Sequence, residues 1–222
     1  PMTYILWLPL FFGFAFSNGL YYEYSYTTTG KGMEIRGVTR LYLQPTGKTR
    51  FETDVLHGRS PRVVPATVVL GDMASPGEST ALFEDTKTYV VNRLSAVSGH
   101  DAAVVTLAGR EKVDGYDCVH ARITTTRMVG ERRVLDTLDV WKSADVPAVA
   151  SGQDWMDRVV SPGLSGVEAR LRQMGCDGVL VALELRTPTA HTRQDLVKAS
   201  RRDMSDALFQ IPSGYTQRHQ DY

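Results

Sequence analysis

From residue 33 onward, apolar and polar residues alternate one by one, and this period of two limits the fold more than any other feature of the chain. Successive side chains of a strand point to opposite faces, so such a stretch buries one face and wets the other. In "MEIRGVTRLYL" (33–43) one face carries Met33, Ile35, Leu41 and Leu43, and the other carries Glu34, Arg36, Arg40 and Tyr42. "TRFETDV" repeats the pattern, with Phe51 and Val55 against Arg50, Glu52 and Asp54.

Between these strands lies "QPTG", in which Pro45 and Gly47 suit a type I turn closed by a left-handed glycine. If Gln44 faces Lys48, then Leu41 faces Phe51, Arg40 faces Glu52 and Tyr42 faces Arg50. Cross-strand pairing rewards each of these matches. In "KVDGYDCVHARI" (112–123), Asp114-Gly115 suits a two-residue type I′ loop that sets Lys112 opposite Asp117. Further strands are expected at "KTYVVNRL", "RRVLDTLDVW" and "GVLVALELRT", and "DLVKASRR" is a weaker one. In "GVLVALELRT" the expected face is Val179, Val181, Leu183 and Leu185.

Between Pro147 and Gly175 the period changes. "DWMDRVV" places Trp155, Met156, Val159 and Val160 on one helical stripe, ended by Ser161-Pro162-Gly163. "LSGVEARLRQMG" places Leu164, Val167, Leu171 and Met174 on another, with Glu168 and Arg172 as an i,i+4 pair and Gly175 as the stop. Two short helices therefore interrupt the strands and can cover the apolar face of a sheet.

The 222 residues carry 25 basic and 25 acidic side chains, a balance that gives no reason to expect nucleic acid or a basic tail seeking anionic lipid. "YILWLPLFFGFAF" (4–16) is uncharged and too short to span a bilayer as a helix. Ala15 and Ser17 behind it stand as the small residues before a signal-peptidase cut would. Residues 1–19 are thus expected to be a secretory leader, and the chain to be periplasmic or secreted. No Cys ends the leader, so no lipid anchor is expected there. An oxidising compartment would let the only two cysteines, Cys118 and Cys176, pair; the alternative is two separate buried thiols.

Chemistry is sparse. Cys118 and His120 share a strand face with Tyr116 and Arg122, but a strand behind a hairpin supplies neither a stabilised thiolate nor an orienting third group. His57, His100, His191 and His219 form no metal-ligand pattern with them. "PTGKT" lacks the first glycine of a phosphate loop, and "GLSG" is one residue short of a nucleophile elbow. Asp136 and Asp139, three apart on a strand, point to opposite faces, and a solvated edge is expected for them. No cofactor, metal site or catalytic residue is expected.

The ordered stretches "GKTRFETDV", "KTYVVNRL", "REKVDGYDCVHARI", "LDVWKSADVP" and "LFQIPSGYTQ" resemble the bacterial domain-of-unknown-function family 4412 over most of residues 20–217. The resemblance rests on Gly115, Tyr116 and Cys118, on Trp141-Lys142-Ser143, and on Phe209, Ile211, Pro212, Gly214 and Tyr215. It implies kinship with the LolA/LolB lipoprotein carriers, whose curved antiparallel sheet is a half-open barrel with helices closing an apolar cavity.

The expected fold is mainly β (α+β), a single curved LolA-like antiparallel sheet over 20–217. Its helical insertion spans 151–174 and 218–222 form a tail. The leading function is a non-enzymatic binding protein that holds a lipid, an acyl chain or another apolar ligand between sheet and helices. Ile35, Leu41, Phe51, Trp155, Val159, Leu171 and Leu183 would line that site. Two other classes remain open. One is an envelope structural or interaction module with a filled core and a protein partner, and the other is an enzyme using Cys118 and His120.

Overall fold

The alternating stretches become a single mixed sheet of twelve strands. The computed structural model describes residues 18–58, 67–75, 77–93, 103–129, 132–148 and 165–218. The strands are β1 (Asn18–Gly30), β2 (Met33–Leu43), β3 (Lys48–His57), β4 (Thr67–Asp72), β5 (Glu78–Phe83), β6 (Thr88–Arg93), β7 (Val104–Val113), β8 (Tyr116–Val129), β9 (Arg132–Ser143), β10 (Val179–Arg186), β11 (His191–Asp203) and β12 (Thr216–Gln217). A helix, α1 (Ser165–Gln173), precedes β10, and a 3₁₀ turn (Asp206–Phe209) follows β11.

The order across the sheet is β12-β6-β5-β4-β3-β2-β1-β11-β10-β9-β8-β7. Two meanders, β1–β6 and β7–β11, are joined by the antiparallel pairing of β1 with β11, and among the described strands only β12 on β6 is parallel. β7 and β12 end the order without pairing to each other, so the expected single, mainly antiparallel sheet is open, neither closed nor strongly curled. Among the described residues one α-helix covers it. The expected helix around Trp155 and Val159 lies outside the described residues.

Local chemistry explains the first hairpin. Gln44 N–H donates to the Lys48 carbonyl at 2.8 Å, and Gly47 N–H donates to the Gln44 carbonyl at 2.9 Å. Gly47 takes φ +95°, where a side chain would strain the backbone. The register that follows is Leu41↔Phe51, Arg40↔Glu52 and Tyr42↔Arg50, as the sequence predicts. At the second hairpin Asp114 and Gly115 both take positive φ, and Lys112 pairs with Asp117.

Two elements depart from expectation. β1 carries Tyr22, Tyr24 and Tyr26 at alternate positions and lies at the centre of the sheet, with Leu20, Tyr21, Tyr22 and Tyr24 all buried. In β10 the register against β9 slips between Leu180 and Ala182. Val179 therefore pairs with Ser143, whereas Leu183 and Leu185 pair with Val140 and Leu138. Ser143 and Val140 alternate on β9, so the bulge splits the apolar face read from the sequence and turns Val179 to the opposite side from Leu183.

The core forms separate clusters. Leu20, Tyr22, Leu41, Leu43, Val179 and Val181 belong to one, and Ala121, Ile123, Val140, Val167, Leu171 and Cys176 to a second beneath α1. Complete burial of one such aliphatic side chain is worth about 1.5–3 kcal/mol. The segment after β11 caps a third, where Phe209 and Met204 pack on Tyr21.

A candidate ligand-binding face

Register partners share a side of the sheet, so one side can be followed from strand to strand. Leu41 partners both Phe51 and Tyr22, and Phe51 partners Val69. Tyr26 lies two strand steps from Tyr22 on the same side of β1 and partners Gln194, which partners Leu183. Leu183 partners Val140, and Val140 partners Ala121. One side therefore runs nearly unbroken in apolar and aromatic side chains from β4 to β8. Ile35 joins it by alternation along β2 and is buried.

Of the expected lining residues, Leu171 on α1 and Leu183 on β10 meet in the second cluster. Leu41 and Phe51 lie in or against the first, across β1 and β11, where Val179, Cys118 and Trp141 from the other side of β8–β10 also pack. Trp155 and Val159 lie outside the described residues. The described side chains form an apolar wall: Phe51 and Leu183 stay half-buried, and Leu41 and Leu171 are buried.

α1 covers the β7–β9 end of this wall. Nine residues rise about 13 Å, against strands spaced roughly 4.8 Å apart, so the helix covers only part of a twelve-stranded sheet. Its apolar contribution is Val167 and Leu171. It ends in a Schellman motif: Cys176 N–H donates to the Leu171 carbonyl and Gly175 N–H to that of Arg172, each at 2.9 Å, with Gly175 at φ +78°.

Polar contacts fix the position of the helix. Lys142 Nζ on β9 donates to Glu168 Oε1, and both side chains are buried. Arg172 stands 3.9 Å from the same oxygen, the expected i,i+4 pair. Arg170 donates to the Ala103 carbonyl at 2.9 Å. A buried ion pair adds little net stability, but loss of one partner leaves an unpaired charge in the interior. The pair thus sets where α1 sits more than how tightly it binds.

Cys118 and Cys176 are both buried free thiols, so the expected disulfide is not formed. On β8, Cys118 alternates with Val119, and Val119 packs against the cluster that holds Cys176. The strand therefore separates the two sulfurs. Cys118 donates weakly to the Tyr116 carbonyl and Cys176 to that of Val119. Burial pushes the Cys176 thiol up to about 11 and also raises that of Cys118. His120 is not oriented toward the thiol chemistry: its ring nitrogens face Asp139 and Glu111.

Sequence reasoning missed the role of Asp139. Its carboxylate is only 1% exposed and accepts from His120 Nε2 at 2.8 Å, Arg122 Nε at 2.9 Å and Arg186 at 3.0 Å. Burial raises its pKa, but the hydrogen bonds from Arg122 and His120 outweigh that and hold the carboxyl below the ordinary range. His120 stacks on Trp141 with ring centroids 4.3 Å apart, and Trp141 Nε1 donates to Glu111 at 2.6 Å. Glu184 is held by Arg186 and His191, each at 2.6 Å. The expected solvated edge is instead the middle of β9, between β8 and β10. The signal for it was present in Leu138, Val140 and Trp141, apolar neighbours too dense for an edge.

Residues 27–215 match the family described as "Domain of unknown function (DUF4412)". No curated protein matches the chain. Among solved structures, that of PNGF-II is 14% identical, covers 91% of this chain and has a TM-score of 0.42. The chain spans 31% of the PNGF-II chain. A LolA superfamily protein from Nitrosomonas europaea is 8% identical, with 87% of this chain and 90% of that one covered at a TM-score of 0.37. The lipoprotein LppX from Mycobacterium tuberculosis is 12% identical, with 81% and 85% covered at 0.37.

Proposed function

The chain belongs to the DUF4412 family, and from that premise we propose that it is a non-enzymatic binding protein, acting outside the cytoplasm, that holds an acyl chain or similar apolar ligand against its sheet. One observation carries this reading: the register places Phe51, Leu41, Tyr22, Leu183 and Val140 on one side of the sheet, with Leu171 of α1 over one end of it. Such a wall binds by area removed from water, at about 25 cal/mol per Å², and needs no directed chemistry. The leader-like segment 4–16 supports export, and the carrier kinship implied by the sequence resemblance points the same way.

The test is uptake of a fluorescent fatty acid by delipidated protein, with native mass spectrometry of the protein as purified. Saturable uptake that weakens in Leu183→Asp and Phe51→Asp supports the reading. The absence of both uptake and co-purifying lipid sinks it.

A further inference from the structure

Strands β8 and β9 outrun their neighbours. β7 pairs with β8 only as far as Val104↔Thr124, and β10 pairs with β9 only as far as Arg186↔Thr137. Five more pairs, Thr125↔Asp136 through Val129↔Arg132, join β8 and β9 to each other with no further strand beside them among the described residues. Residues 125–129 and 132–136 thus form a two-stranded arm reaching roughly 16 Å beyond the sheet. A ribbon of two strands is marginal in water, and this one is not built for water. Met128 is 61% exposed and Leu135 56% exposed. Arg133 is the register partner of Met128, and Arg132 and Arg133 are both exposed.

The surroundings share this character. By register, Val104 and Met33 begin their strands on the same rim, Leu56 lies one residue from the end of β3 there, and all three are exposed. Among the described residues, five of the nine large exposed hydrophobic side chains therefore lie on that rim or on its arm. Among the arm's described side chains, Arg132 and Arg133 stand against the carboxylate of Asp136. Asp136 sits at its base and is half-buried. The chain as a whole is charge-balanced, and the topology alone collects this basic, apolar tip.

We propose that the arm docks on the surface of an anionic bilayer. Met128 and Leu135 enter the interface, and Arg132 and Arg133 meet lipid phosphates. Side chains with apolar bodies beside guanidinium heads suit that boundary, where each arginine adds electrostatic attraction that salt screens. This goes beyond the ligand-binding reading and does not need it, although an apolar cargo would give the docking a purpose.

Sedimentation of the purified chain with vesicles of phosphatidylethanolamine and phosphatidylglycerol tests the proposal, with phosphatidylcholine vesicles as the neutral arm. Binding to the anionic vesicles should weaken as salt rises and fall about 25-fold in Arg132→Ser/Arg133→Ser, about fivefold for each arginine. Met128→Ser/Leu135→Ser should also weaken it, with the thermal midpoint of both variants unchanged. Wild-type protein left in the supernatant, or variants that sediment like wild type, would overturn the proposal. So would a vesicle-free dimer that the arm variants convert to monomer, because the arm would then bind a second copy. Fatty-acid uptake without vesicles is read separately: uptake lost with docking kept counts only against the ligand-binding reading.

Discussion

The two sides of strands β8–β10 are made by alternate residues of the same three segments and follow opposite rules. One side shows Ala121, Ile123, Leu138, Val140 and Leu183 to α1, and holds the Lys142–Glu168 ion pair buried from water. The other shows His120, Arg122, Asp139, Trp141, Glu184 and Arg186, an interlocked set of charges whose arginines remain half exposed. Burial without directionality leaves the first side adaptable in what it covers. Hydrogen bonds with fixed partners leave the second no such freedom. Period-two alternation lets one strand serve both ends.

The contrast breaks most visibly at the sealed pair. Glu168→Ala should cost about 3–5 kcal/mol in urea unfolding, because Lys142 then keeps a buried, unpaired charge. The double variant Lys142→Met/Glu168→Leu should recover most of that loss. A double variant as unstable as the single one would show that the pair does more than seat α1.

Asp139→Ala should cost less, roughly 2–3 kcal/mol, since Arg122 and Arg186 can return to water while only the carboxylate's hydrogen bonds vanish. Leu183→Ala, on the apolar side, should cost about 1–2 kcal/mol for a half-buried side chain and weaken any apolar ligand. Asp139→Ala should leave that ligand's affinity unchanged. Equal effects of the two on uptake would erase the distinction between the sides.

Acid gives a smaller effect with a definite sign. The Asp139 carboxyl is held below its ordinary value. Its contribution is therefore complete above the unfolded pKa of about 3.9 and is lost as pH falls through the lower folded value. Urea midpoints compared at neutral and strongly acidic pH should fall less in Asp139→Asn than in wild type.

The thiols give the smallest effect. Both should be slow toward a thiol reagent at mildly alkaline pH in the native protein, with Cys176 pushed up to about 11, and both should titrate once the chain is unfolded. An unfolded, unreduced chain with no reactive thiol would reveal a Cys118–Cys176 bond.

Much of the local structure was legible because its causes are local. "QPTG" and "VDGY" carry the chemistry of their own turns, and the Arg40↔Glu52 and Lys112↔Asp117 pairs follow from turn length. The i,i+4 partner of Glu168 was readable for the same reason. Its buried partner Lys142 was not, because β9 and α1 are 26 residues apart at that contact. Val179 and Leu183 looked like one face until a bulge that no residue type announces turned them apart.

The sequence by itself determined a β-rich chain, the register of two hairpins, a short helix ending at Gly175 and a family. Alternation, turn preference and capping act within a few residues and need no partner from afar. Only the tertiary structure decided which sides are covered, that Asp139 is buried between two arginines and a histidine, that two cysteines lie across a strand, and that one hairpin outruns its described neighbours. Each of these depends on which strands become neighbours and where their pairing stops. The joining of β1 to β11 across more than 160 residues sets much of that order.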